Sequence, residues 1–185
     1  ECAKKPDRLV PTIIHGDVPA WHRQNPELHR KIDADSRTGK FFAMGEFEAR
    51  HYITSTNSRD VHTPANSKGF EVVFKASEET GIPFLLHHDA EDEVLPELEE
   101  MLQRFPNAKV VWCHVGRNKD PSKWKVFPTP DGVRRFIARH QNLYFDIAQM
   151  GSMSRFPPNS RFGGIFDAVL YYQQPGTSKL RPEWT

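Results

Sequence analysis

Long hydrophobic runs are missing from this chain of 185 residues. No stretch approaches the roughly 18 apolar residues that a membrane-spanning helix needs, and the leading ECAKKPDRLV lacks the apolar core of a signal peptide. Cysteine is scarce. Cys2 and Cys113 are the only two, too few for a disulfide framework and in keeping with a reducing compartment such as the cytoplasm. A charge excess is also lacking. The formal net charge of +1 gives no electrostatic reason to expect nucleic acid or an anionic membrane as partner. Several short motifs are absent too. No GxGxxG or GxxxxGK[ST] follows a strand-like run, which weighs against nucleotide binding, and there is no HExxH and no CxxC.

What is present is the composition of an ordinary domain, with 37% hydrophobic and 26% charged residues and enough length for a real core. Five short apolar runs each end in a chemically capable side chain. RLVPTIIHGD ends at His15 and Asp17, KFFAMGE at Glu46, IPFLLHH at His87 and His88, AKVVWCH at His114, and NLYFD at Asp146. Runs of this kind, bounded by turn residues, are what strands buried on both faces look like.

Helical patterns lie between them. In SKGFEVVFKASEETG, Phe70, Val73, Phe74 and Ser77 share one face, with Ser67 placed to cap the start and Gly81 just past the end. In EVLPELEEMLQRFPN, Val94, Leu98, Met101, Leu102 and Phe105 form a stripe that Pro106 terminates. Asp131 is placed to cap a helix carrying Val133, Phe136 and Ile137, and GGIFDAVLYYQQPG reads as a last amphipathic piece. Strand and helix in alternation predict βαβ units and a parallel sheet. The acids and histidines gather at the carboxyl ends of the strands, the catalytic face of a (β/α)8 barrel. Open doubly wound sheets gather ligands at the same end.

Glu46, His87, His114 and Asp146 belong to four different runs, so only convergence of strand ends can bring them together. Imidazole and carboxylate are suitable donors for zinc, manganese or iron. Each residue has a rival reading. Glu46 competes with Glu48 on the same strand, and with a buried or capping acid. His87 and His88 point to opposite faces of a strand, so one can enter the mouth while the other packs at the helix layer. His51 reads as an exposed loop histidine or as an orienting partner. Asp89 and Glu91 read as acids opening the next helix. Cys113 faces away from His114 on an ideal strand and reads as a small core residue. Arg117 is suited either to clamp a substrate carboxylate or to form a plain salt bridge. Trp112, Trp124, Tyr171 and Tyr172 read as packing residues. The loop NKDPSKWKVFPTPDG is placed to line a pocket.

The segments GEFEARHY, ETGIPFLLHHDAED, RFPNAKVVWCHVGR and NLYFDIA together resemble the amidohydrolase superfamily, in particular its amidohydrolase 2 branch. The resemblance implies a (β/α)8 barrel with an HxH pair after strand 1, a Glu or modified Lys on strand 4, single histidines on strands 5 and 6, and an Asp on strand 8. It would make KFFAMGE strand 4 with Glu46 as metal ligand. His87 on strand 5 and His114 on strand 6 would be further ligands, and NLYFDIA would be strand 7. No HxH occurs, and LRPEWT closes the sequence before a strand 8. The expectation is therefore one partial barrel domain over residues 1–185, α/β in class and holding the central strands of the barrel.

The expected activity is metal-dependent hydrolysis of a carbonyl ester, lactone or amide of a small molecule, with zinc as the metal and manganese second. Asp146 and Arg117 are the candidate catalytic residues. Metal-dependent decarboxylation on the same fold is one alternative. A non-catalytic α/β module that has lost its site is another. Unpaired strand edges template association, so a homo-oligomer is the expected state of the chain alone.

Overall fold

The computed structural model describes residues 10–51, 60–116 and 130–146. Their strands are β1 (Thr12–Ile13), β2 (Ala43–His51), β3 (Val61–His62), β4 (Phe84–His88), β5 (Val110–Trp112) and β6 (Leu143–Phe145). The helices are α1 (Val18–His22), α2 (Pro26–Ser36), α3 (Lys68–Thr80), α4 (Leu95–Arg104) and α5 (Pro130–Arg139). Five strands run parallel in the order β1-β2-β4-β5-β6, and the short β3 pairs antiparallel with the end of β2. The α/β class and parallel sheet expected from the alternating pattern are what the chain forms.

Period-two alternation splits the sheet into two faces. Ile13, Met44, Phe47, Phe84, Leu86, Val110, Trp112, Leu143 and Phe145 are buried in the hydrophobic core. The predicted stripes of α3 and α4 join them, with Phe70, Val73, Phe74, Leu98, Met101 and Leu102 all buried. Aromatic contacts join the layers. Phe74 meets Phe84 edge-on at 4.8 Å, and Trp21 lies 4.9 Å from Phe47 and 5.4 Å from Phe70. On the opposite face, the register aligns Leu85, Val111 and Tyr144 in one row, and Tyr144 is exposed.

Gly81 ends α3 in the left-handed region, as its position predicts, with its N–H donated to the Ser77 carbonyl. Ser67 occupies the N-cap position, but its side chain makes no capping bond. Other expectations need correction. The β2 strand runs on past Glu46 to His51. Glu91 and Asp89 precede α4 rather than opening it, because Glu91 is buried and paired with Arg50. Asp131 lies inside the first turn of α5, where it pairs with Arg134. The α2 helix, begun by Asn25 as cap and Pro26, had no counterpart in the sequence reading. Residues 163–176, Trp124, Tyr171, Tyr172 and the 118–129 part of the predicted pocket loop lie outside the described residues.

The β2–β4 pairing contains a bulge. Met44 faces Phe84 and Phe47 faces Leu86, so three steps on β2 match two on β4. Gly45 makes this possible. Its φ is 95°, and a Cβ there would come within 2.5 Å of the Leu85 carbonyl oxygen. Gly45→Ala should therefore cost about 1–3 kcal/mol from the forced backbone alone, with the clash against β4 in addition. Urea unfolding measures this, and an unchanged midpoint would contradict the bulge.

Candidate functional site

The bulge decides where Glu46 points. In an unbroken strand Glu46 would share the face of Met44, two residues earlier, and enter the core. The extra residue shifts the alternation by one. Phe47 then fills the core position, and Glu46 turns to the other face with Glu48. On β4 the alternation alone separates the two histidines. His88 packs into the core against Trp112, with ring centroids 5.9 Å apart, while His87 faces Glu46.

His114 arrives by a different route. Beyond Trp112 the backbone leaves the strand in a tight turn, Cys113–Gly116, in which His114 (φ 56°) and Val115 (φ 52°) both adopt the left-handed region. That conformation costs a non-glycine residue of order 1–3 kcal/mol, and a β-branched one such as Val115 adopts it rarely. Backbone bonds hold the turn. The Val115 N–H donates to the Asp146 carbonyl at 3.1 Å, and the Ala90 N–H to the Gly116 carbonyl at 3.0 Å. Gly116 itself has a φ of 60°.

The outcome is a compact group in which Glu46, from within β2, meets His87 near the end of β4 and His114 just beyond β5. Glu46 Oε1 lies 2.9 Å from His87 Nδ1 and 3.4 Å from His114 Nε2. One donor atom from each of the three residues lies within 4.8 Å of the others. The His87 and His114 rings are 5.1 Å apart and nearly perpendicular, and His51 stacks on His87 at 5.0 Å. Asp89 Oδ1 is 3.3 Å from the other nitrogen of His87, Nε2. His87 thus stands between two carboxylates.

Electrostatics follow from this geometry. His114 and His87 hydrogen-bond the Glu46 carboxylate and hold it well below the usual carboxylate range. Burial disfavours an imidazolium at His87, but hydrogen bonding and charge from Asp89 and Glu46 outweigh it and raise its pKa to about 9. For His88, burial in the core dominates and lowers the pKa to about 3, so it is neutral. Burial also raises the Cys113 thiol, with the charges of Glu46 and Asp146 adding to it.

Cys113 is a buried free thiol among the core residues, as its reading as a small core residue has it, and it lies close enough to Glu46 and Asp146 to feel both carboxylates. Asp146 continues the row of Tyr144, with its N–H donated to the Trp112 carbonyl at 3.0 Å. It is half-buried and lies outside the three-residue group. Glu48 is in register with His87 and is likewise not one of the three. Arg117 lies outside the described residues.

Sequence reasoning assigned His51 to a loop alternative and Asp89 to a helix start. A signal for Asp89 was present, since in HHD the first and third residues share a strand face.

These features belong to a parallel α/β protein with a carboxylate–imidazole cluster where β2, β4 and the turn after β5 meet. The amidohydrolase family model (the Amidohydro_2 branch) matches residues 44–180, so the chain belongs to the amidohydrolase family. No curated protein matches it. Among solved structures, the chain is similar to an uncharacterized TIM-barrel protein of Bordetella bronchiseptica, with 14% identity and a TM-score of 0.48. The similarity covers 79% of this chain and 46% of that one.

The pKa of His87 in the folded chain, about 9, lies above the ordinary 6.5. Its ion pairs therefore stabilise the fold fully below pH 6.5 and cease to do so as pH rises through about 9. Urea unfolding of wild type and of His87→Ala across this range measures the effect, and a stability difference between them that does not shrink from pH 6.5 to above 9 would contradict it.

Proposed function

We propose that the protein is a metal-dependent hydrolase that activates water for attack on a carbonyl ester, lactone or amide of a small molecule. The observation that carries this reading is the convergence of Glu46, His87 and His114 donor atoms within 4.8 Å, in a chain of the amidohydrolase family. The donor set fits a divalent ion. Two imidazoles and one carboxylate suit zinc, with manganese second, and His87 and His114 are both largely withdrawn from solvent. A divalent ion held by these three would lower the pKa of a coordinated water and polarise a carbonyl.

The chain's own residues supply the rest. Glu46 Oε1 reaches both imidazoles and fixes their separation. His51 covers one face of the His87 ring and limits its rotation. Asp146, which follows β6 and whose backbone is bonded to both Trp112 and Val115 beside the His114 turn, would take the proton from the attacking water. Arg117 is the candidate clamp for a substrate carboxylate.

The test is metal analysis and hydrolysis by the purified, zinc-loaded protein. About one ion per chain should be found, and Glu46→Ala, His87→Ala and His114→Ala should each lose it. Asp146→Asn should keep the ion and lower kcat by about 10²–10⁴ on small esters or lactones, the usual contribution of general acid–base catalysis. Metal content unchanged in all three alanine variants would overturn the reading.

A further inference from the structure

The His87 ring carries two nitrogens in different surroundings, and only one of them can serve the cluster. Nδ1 faces Glu46 Oε1 at 2.9 Å. Nε2 points away and is buried without a hydrogen bond of its own, and the carboxylate oxygen that faces it is Asp89 Oδ1, at an ion-pair distance of 3.3 Å. Asp89 is largely buried as well, at 13% side-chain exposure. Its place is set by the backbone on both sides. The Asp89 N–H donates to the Arg50 carbonyl at 2.9 Å, and the next residue, Ala90, is tied to Gly116 at 3.0 Å. The segment after β4 is therefore pinned to the end of β2 on one side and to the turn that carries His114 on the other.

Arg50 strengthens the first of these attachments. It is buried, and its guanidinium pairs with Glu91 and Asp60 while donating to the Val61 carbonyl at 2.9 Å. A buried charge held by a buried partner is costly to unpair, so the Arg50–Glu91 pair fixes the segment carrying Asp89 firmly relative to β2. The ring of His87 has little freedom in between, with His51 stacked 5.0 Å away and His114 edge-on at 5.1 Å.

We propose that Asp89 is the positioning residue of the site: it holds a proton on His87 Nε2 and thereby commits Nδ1 to the metal ion. This rests on the metal-site reading above and adds which nitrogen binds and what selects it. A carboxylate behind a ligating imidazole fixes the tautomer and raises the basicity of the donor nitrogen, and losing such a partner costs about 10–100-fold in metal affinity.

Zinc alone is the probe. In the zinc-loaded wild-type chain, long-range ¹H–¹⁵N NMR of the histidines should show His87 protonated at Nε2 and metallated at Nδ1. Asp89→Ala should bind zinc about 10–100-fold more weakly. Asp89→Asn, whose amide oxygen can accept from Nε2, should recover most of the loss. That rescue is not expected of a merely structural defect. His87 metallated through Nε2, or an Asp89→Ala affinity within twofold of wild type, would overturn the proposal. The NMR result needs no variant, so it stands even if Asp89→Ala fails to fold. Zinc binding that is abolished by Glu46→Ala but untouched by Asp89→Ala sinks this inference alone. A wild-type chain that binds no zinc sinks the metal-site reading and this inference together.

Discussion

The bulged parallel pairing of β2 with β4 is the constraint on which both the core and the site depend. Met44 and Phe47 are both buried in the core although three residues apart, a spacing no regular strand can place on one face. The shift at Gly45 lets two core residues and two acids share one short strand. Glu46 and Glu48 then emerge on the same side as His87, which β4 delivers by plain alternation. Without the extra residue, Glu46 would face the apolar layer formed by Phe84 and Leu86, where an unpaired carboxylate is strongly disfavoured.

The cluster is built from elements that differ in stiffness. Glu46 and His87 come from central strands whose outer faces are packed against α3 and α4. His114 comes from a turn with two non-glycine residues in the left-handed region, held in place by bonds to the neighbouring strand end and to the segment after β4. Strain concentrated at such a turn is characteristic of functional sites. It is compensated here by the core beneath, where Trp112 is fully buried and its indole Nε1 donates to the His88 carbonyl at 2.7 Å. His88 thus contributes its backbone to the architecture and its neutral ring to the core, while the adjacent His87 carries the charge.

The fold was legible because it rests on simple periodicities, which also brought Glu46, His87, His114 and Asp146 forward as candidates; the choice of the first three, and of His87 over His88, followed from the family resemblance. Apolar runs with polar ends marked the strands, and the stripes of α3 and α4 gave nearly every residue of their buried faces. Features that depend on a single backbone irregularity were not legible. Nothing in KFFAMGEFEARH announces that alternation slips at Gly45, and although Glu48 was read on the strand of Glu46, the continuation to His51 was not. The turn at Cys113–Gly116 was likewise not legible, because nothing in AKVVWCHVG shows that the strand stops at Trp112. The α2 helix buries only Leu28, Ile32 and Ser36, too thin a stripe to stand out, although Asn25 and Pro26 form a recognisable start. Asp89 and Glu91 were read by local helix logic, whereas their partners, His87 and Arg50, belong to strands.

The central claim is that Glu46, His87 and His114 hold one divalent ion with nitrogen and oxygen donors, and that the nearby Cys113 thiol takes no part. X-ray absorption of the zinc-loaded protein tests it most directly. The account predicts a first shell of nitrogen and oxygen at about 2.0–2.1 Å with outer scattering from at least two imidazoles. A sulfur neighbour at about 2.3 Å, or a zinc spectrum without imidazole scattering, would contradict it.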